Sequence, residues 1–203
     1  MTPAPQLWVF AGPNGAGKST LARRYVVGRL EIVNPDDIAR QIAPGLPADR
    51  KTAVRAGRLA VERRKALLDA RESFAIETTL TGQGARAFML QARERGYKVN
   101  LVFIGLHSII QAQSRVTERV RQGGHAVPKA DIERRFVRCM NHLAEAMRIA
   151  DRVLVLDNSG KRRRLILIRE NGRTKLLSRN VPNWARTAIP EILQTNQTGT
   201  LNK

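Results

Sequence analysis

The chain has 203 residues, 42% hydrophobic and 4% aromatic, and carries 36 Lys and Arg against 17 Asp and Glu. That length suffices for one domain with a substantial core, no apolar run reaches transmembrane length, and the single Cys139 excludes an internal disulfide and fits a reducing cytosol. The net charge of +19 selects for anionic partners (nucleotides, nucleic acid or an acidic protein), while scarce aromatics argue against a base-stacking platform. Met1 to Gln6 lacks the features of a signal peptide, so a cytoplasmic protein without membrane contact is expected.

Leu7 to Ala11 is an apolar run short enough for a buried parallel strand. Directly after it, Gly12-Pro13-Asn14-Gly15-Ala16-Gly17-Lys18-Ser19-Thr20 fits the phosphate-loop pattern G-x-x-x-x-G-K-[ST] at every fixed position. Such a loop turns successive backbone N–H groups toward phosphate oxygens, its Lys reaches the β and γ phosphates, and its hydroxyl is suited to Mg²⁺. Leu21, Ala22 and Tyr25 continue at helical spacing, which places the loop at a helix N-terminus, where the dipole favours anions. Strand, loop and helix in this order predict that the chain binds a nucleoside triphosphate.

Glu31 to Asn34 reads as a short strand, and Asp36 to Ile42 as a helix with acids in its first turn. Residues 49 to 71 form a helix with Val54, Gly57, Val61 and Leu68 as its inner stripe, followed by a strand from Ser73 to Glu77. A helix from Ala85 to Arg95, a central strand from Lys98 to Leu106 and a helix capped by Ser108 come next, the last with Ile109, Ala112, Val116 and Val120 inward. The loop 122–128 precedes one further helix burying Ile132, Phe136, Leu143 and Met147, and Val153 to Leu156 is the last parallel-type strand. Beyond it, Asn171-Gly172 between two apolar runs predicts a hairpin, and the chain turns polar after Pro190. The expected architecture is an α/β fold: a mostly parallel five-stranded P-loop kinase-like sheet flanked by helices, with a C-terminal antiparallel hairpin. Its expected division is a core over 1–160 with a helical lid around 115–135, a hairpin over 161–180 and a tail over 181–203.

In an open parallel sheet the ligand crevice lies at the carboxyl ends of the strands. Three carboxylates fall there: Asp36, Glu77 and Asp157. Asp36, beside the phosphate loop, suits a general base that takes the proton of an acceptor hydroxyl; the adjacent Asp37 is the alternative. Glu77, with Thr78 and Thr79, suits an acceptor hydroxyl or water-bound Mg²⁺, and Asp157 ends an apolar run as a metal-binding Asp would. Arg115, Arg119 and Arg121, then Arg134 and Arg135, bracket Gly123-Gly124-His125, as in a lid that closes arginines onto a transferring phosphate. A mechanical ABC-type ATPase is excluded, because the strand from Lys98 to Leu106 ends without an acid and Asp157 is followed by Asn158.

Gly12 to Thr20, Val33-Asn34-Pro35-Asp36, Phe74 to Thr79 and Arg121 to Pro128 together resemble the zeta toxin family of P-loop kinases. They are most similar to its short chromosomal members, often described as ABC-type ATPases. The resemblance covers residues 6 to 160 and implies ATP and Mg²⁺ as cofactors. Lys18 and Ser19 would hold the phosphates and Mg²⁺, with Asp36 as base and a second candidate for the metal. Glu77, Thr78 and Thr79 would contact the acceptor, and Arg121 and Arg134 would stabilise the transferring phosphoryl group. It further implies an acceptor such as UDP-N-acetylglucosamine, phosphorylated on the 3′-hydroxyl of its aminosugar, and an antitoxin protein as partner. The larger toxins have Glu-Gly-Thr where this chain has Glu77-Thr78-Thr79, and the basic hairpin lies outside their pattern. A nucleic-acid kinase or a nucleic-acid-stimulated ATPase is the alternative that the charge suggests.

Overall fold

The computed structural model describes residues 3–26, 28–44, 49–124 and 126–191. Seven strands form one sheet in the order β2-β3-β1-β4-β5-β6-β7. They are β1 (Gln6–Ala11), β2 (Glu31–Val33), β3 (Phe74–Thr78), β4 (Lys98–Gly105), β5 (Arg152–Asp157), β6 (Arg164–Glu170) and β7 (Arg173–Leu177). The first five run parallel, and β6 and β7 continue the same sheet antiparallel. The helices are α1 (Lys18–Val26), α2 (Pro35–Ile42), α3 (Arg50–Asp69), α4 (Gln83–Glu94), α5 (Ile109–Arg121), α6 (Lys129–Asn141), α7 (Leu143–Ile149) and α8 (Asn183–Ala188).

The central strands are unbroken apolar runs because helices cover both of their faces. One face carries Leu7, Val9, Phe74, Ile76, Leu101, Phe103, Val153 and Val155, packed with residues of α3, α4, α7 and α8. The opposite face carries Phe10, Val102 and Ile104, packed with Leu21 and Ala22 of α1, Ala112 and Val116 of α5, and Ile132 and Phe136 of α6. Cys139 is fully buried, and burial pushes its thiol up to about 12. It is therefore expected to be inert to Ellman's reagent in native protein at pH 8 and to react stoichiometrically in denaturant; rapid native labelling would contradict this packing.

Four points differ from the sequence expectation. The predicted single helix after residue 128 is two, because the chain turns at His142 between α6 and α7, so Ile132 and Phe136 face one cluster and Leu143 and Met147 the other. The inner stripe of α3 is Ala56, Ala60, Leu67 and Leu68, while Val54 and Val61 are exposed. Small alanines let this helix lie close to its neighbours, and the larger valines sit a fraction of a turn away. Tyr25 and Val120, given inward positions by spacing, are also exposed. Finally, residues 183–188 form α8, which no periodic pattern marked because it is so short. The hairpin turn has both Asn171 (φ 47°) and Gly172 (φ 76°) left-handed, as a two-residue turn of that hand requires. Among the described residues no helix is long and apolar enough to cross a membrane.

Candidate active site

Parallel pairing brings the carboxyl ends of β1 and β3 together, with Phe10 opposite Glu77 and Ala11 opposite Thr78. The phosphate loop leaves β1 and enters α1 at Lys18. Gly12 shows why the pattern fixes glycine there: a Cβ would lie 2.2 Å from the Ile104 carbonyl oxygen, on a backbone with φ of 147°. At Gly15, a free position of the pattern, a Cβ would lie 2.9 Å from the Ala112 carbonyl oxygen and 3.1 Å from the Arg115 Cβ. Thus α5 passes directly over the loop. Lys18 Nζ donates to the Pro13 carbonyl at 2.9 Å, folding the side chain back along its own loop. Burial lowers its pKa, Arg119 adds to that, and the Cys139 thiol, Glu77 and Asp36 oppose it.

Ser19 and Glu77, 58 residues apart, meet here: the Ser19 hydroxyl donates to Glu77 Oε2 at 2.7 Å. Glu77 is only 7% exposed, and its Oε1 is buried with no hydrogen-bond partner. Burial holds its carboxyl above the ordinary range, against the Ser19 hydroxyl and the Lys18 charge. In the folded state Glu77 therefore binds a proton more readily than in the unfolded chain, and its contribution to stability is lost as pH rises through the folded value. Glu77→Gln is expected to raise the melting temperature of nucleotide-free protein relative to wild type by more at pH 8 than at pH 5. A pH-independent difference would mean that Glu77 is not strained by its own charge.

Asn34 caps α2, its side chain accepting from the Asp36 N–H at 3.0 Å, and Pro35 occupies the first turn. The cap sets Asp36 and Asp37 in different surroundings. Asp37 is held by Arg23 of α1 at 3.0 Å and by Arg40 of its own helix. The Asp36 carboxylate is exposed, makes no such contact among the described residues, and lies within electrostatic reach of Lys18. Of the two neighbours, Asp37 is thus held in ion pairs and Asp36 is open to solvent.

Thr78 and Thr79 line the exit from β3. The Thr78 hydroxyl accepts from the Leu80 N–H at 3.0 Å, and the Thr79 and Thr81 hydroxyls are 3.2 Å apart. Leu80 is left-handed (φ 56°) and fully buried, and His142 Nδ1 lies 2.8 Å from its carbonyl oxygen. Such a conformation costs a bulky residue about 1–2 kcal/mol, and here burial and the His142 contact hold it.

The structure does not bring Arg121 and Arg134 onto the loop. Their side chains are 74% and 55% exposed, paired with Glu118 and Asp131 one turn away on their own helices. The arginine that acts electrostatically on Lys18 is Arg119, half-buried, with its stem against Gly124 where the Gly-Gly turn closes α5. The family resemblance singled out the helix-end arginine; the signal for Arg119 was the Gly-Gly pair itself, which folds back onto the last turn. His125 lies outside the described residues. Asp157, 2% exposed, is fully engaged elsewhere: Oδ2 accepts from Arg164 at 2.7 Å, and Oδ1 accepts from Ser159 and from the Trp184 indole at 3.1 Å. Its strand is two removed from the phosphate-loop strand. No group of three metal-ligating side chains occurs among the described residues.

The AAA domain model matches residues 7–139, more than half of the chain. The chain belongs to this AAA domain family. A family relative, an uncharacterized protein of Haemophilus influenzae, is 33% identical over 139 residues, covering 64% of this chain and 97% of that one. Among solved structures, the AvrRxo1-ORF1:-ORF2 complex with ATP superposes with a TM-score of 0.71 at 15% identity over 86% of this chain. The PezAT toxin–antitoxin system of Streptococcus pneumoniae superposes with a TM-score of 0.60 at 16% identity, over 97% of this chain and 86% of that one. At those identities the likeness is one of fold, a P-loop kinase-like α/β sheet. This family member spans only 61–65% of the length of the AvrRxo1 chains.

Proposed function

We propose that the chain is an ATP- and Mg²⁺-dependent phosphotransferase that passes the γ-phosphoryl group to a hydroxyl of a small molecule, a UDP-aminosugar such as UDP-N-acetylglucosamine being the candidate acceptor. The observation that carries this reading is the Ser19–Glu77 contact beside Lys18, with Asp36 across the mouth on the neighbouring strand end. Residues 12–20 cradle the triphosphate, and Lys18 swings from the Pro13 carbonyl to its phosphates. A hydroxyl and a buried carboxylate oxygen without a partner suit a hard cation, so Ser19 and Glu77 are the residues to hold Mg²⁺. That assignment gives Glu77 the metal-side role that Asp36 shared in the sequence reading, and leaves Asp36 to the acceptor. When bound, Mg²⁺ supplies charge neutralisation on the phosphate oxygens.

Asp36 accepts the acceptor hydroxyl's proton as the new O–P bond forms; the bond from the γ-phosphorus to its bridging oxygen breaks, and ADP leaves with the electron pair. Thr78 and Thr79, fixed by the Leu80 turn, position the acceptor. Arg119 stands near the phosphates in the open form. The end of α5 and the start of α6 form the lid, whose closure would bring Arg121 and Arg134 inward from their exposed pairs. An antitoxin-like protein partner and a cytoplasmic location accompany this reading through the family resemblance. The net charge favours a second reading, in which nucleic acid is the acceptor or stimulates hydrolysis.

The experiment is ATP turnover with UDP-N-acetylglucosamine, with short single-stranded DNA and RNA, and with neither, the products weighed by mass spectrometry. A gain of one phosphate on the sugar nucleotide supports the first reading. A phosphorylated nucleic-acid end, or hydrolysis that needs nucleic acid, replaces it with the second. Turnover identical in all three mixtures would sink both acceptors.

A further inference from the structure

We infer that the rim formed by residues 161–163 at the carboxyl end of β5 and by the edge strand β7 is a binding surface for the sugar–phosphate backbone of a nucleic acid, whatever the acceptor of the phosphotransfer. Residues 158–191 hold nine Lys and Arg against only Glu170 and Glu191. The charge is also placed together. Lys161, Arg162 and Arg163 leave the carboxyl end of β5; because β6 is antiparallel to both β5 and β7, Arg179 beyond β7 emerges at that same end. Arg173 and Lys175 extend the row down β7, the outermost strand.

None of these six side chains has an acidic partner within ion-pair distance among the described residues. Two other arginines of the same segment, Arg164 and Arg169, are matched to Asp157 and Glu191. Unmatched like charges crowded on one edge repel each other, and a bound polyanion relieves that. Four of the six are arginines, whose planar forks fit phosphate oxygens two at a time.

The rim joins the phosphate loop through the residues just after β5. Asn158 Nδ2 donates to the Ala16 carbonyl at 2.9 Å, and Gln111 Nε2 donates to the Ser159 carbonyl at 2.6 Å. Asp157 ties Ser159 and Arg164 to the strand end. The two ends of the basic loop are thereby fixed, which limits the backbone freedom it loses on binding. Two other occupants fit less well. A membrane surface calls for apolar anchors, and Leu176 is the one large hydrophobic side chain of this segment found exposed among the described residues. Strand addition by a second copy is opposed by the bulge in β7, where Ile168 faces Leu176 and Arg169 faces Thr174, leaving Lys175 unpaired on the edge.

The test is fluorescence anisotropy of 20-nucleotide RNA and DNA strands with nucleotide-free protein across a KCl series. Wild type is expected to bind with a log–log salt slope of about −3 or steeper, and K161A/R162A/R173A/K175A to lose about 3 from that slope, four contacts at roughly 0.7 each. R50A/K51A/R55A/R58A on α3 should change it by less than about 1. Equal losses in the two quadruple variants, absence of salt-dependent binding, or equally strong binding of poly-L-glutamate or anionic phosphatidylserine vesicles would each overturn the inference. Because ATP is absent, its failure leaves the phosphotransfer reading standing. A failed turnover assay likewise leaves this one.

Discussion

Asp36→Asn is expected to lower phosphoryl transfer by about 10²–10⁴-fold, roughly 3–5 kcal/mol of transition-state stabilisation, while ATP affinity changes little. Asn keeps the size and hydrogen-bonding reach of the side chain but cannot hold the proton released by an attacking hydroxyl. Its neighbour supplies the internal control. Asp37 is neutralised by Arg23 and Arg40 on the surface, so Asp37→Asn should cost at most about 1 kcal/mol of stability and reduce turnover only a few-fold. Single-turnover rates for both variants, with ATP dissociation constants measured alongside, decide the matter. Full activity in Asp36→Asn would remove the base from the mechanism, and a reversed order between the two would move the role to Asp37.

That pair also illustrates what sequence discloses and what it withholds. The phosphate loop was legible because its function is local: nine consecutive residues carry the geometry, and strand and helix flank them on either side. The order of strands and helices was legible for the same reason, since periodicity is a local property. The distinction between Asp36 and Asp37 was not. It rests on Arg23, fourteen residues away on another helix. Glu77 was visible as a strand-end carboxylate, yet its partnership with Ser19 needed the pairing of β3 with β1, a fact of topology. Arg121 and Arg134 came from the family resemblance, and in this structure both remain in solvent with partners on their own helices.

The break between α6 and α7 shows a similar limit. Ile132, Phe136, Leu143 and Met147 keep helical spacing across His142, so periodicity alone reads one helix. The turn there lets α6 serve the cluster around Phe10 and α7 the cluster around Phe103. It also brings His142 to the Leu80 carbonyl and Glu145 to within 3.1 Å of Arg86, two ties between α7 and the segment that follows Glu77. One continuous helix would make neither.

Asp157→Ala is expected to be the most destabilising of the carboxylate substitutions, by about 3–5 kcal/mol, since it strands the buried Trp184 indole N–H and removes the partner of the half-buried Ser159 and Arg164 donors. At 2–4 °C per kcal/mol for a chain of this size, the melting temperature should fall by roughly 10 °C. The physical reason is that Asp157 fastens α8 and the hairpin to β5. Trp184 donates its indole N–H to this carboxylate, and its ring lies so close to Gly105 that a Cβ there would be 2.3 Å from the indole. Burial alone would raise the pKa of Asp157, but the hydrogen bonds from Ser159, Arg164 and Trp184 outweigh it and hold the value below the ordinary range. The stability it contributes is therefore present above the unfolded carboxylate value of about 3.9 and lost as pH falls through the folded one. The gap in melting temperature between wild type and Asp157→Ala should be steady from pH 5 to 8 and narrow in acid. Asp157→Asn retains an acceptor for Trp184 and should cost less, with transfer per folded molecule within a few-fold of wild type. If Asp157→Asn instead abolished transfer at an unchanged melting temperature, Asp157 would be a metal ligand and the Ser19–Glu77 assignment would have to be surrendered. The same carboxylate cannot both anchor the hairpin with all of these contacts and hold a cation, and the melting curve is the measurement that separates the two roles.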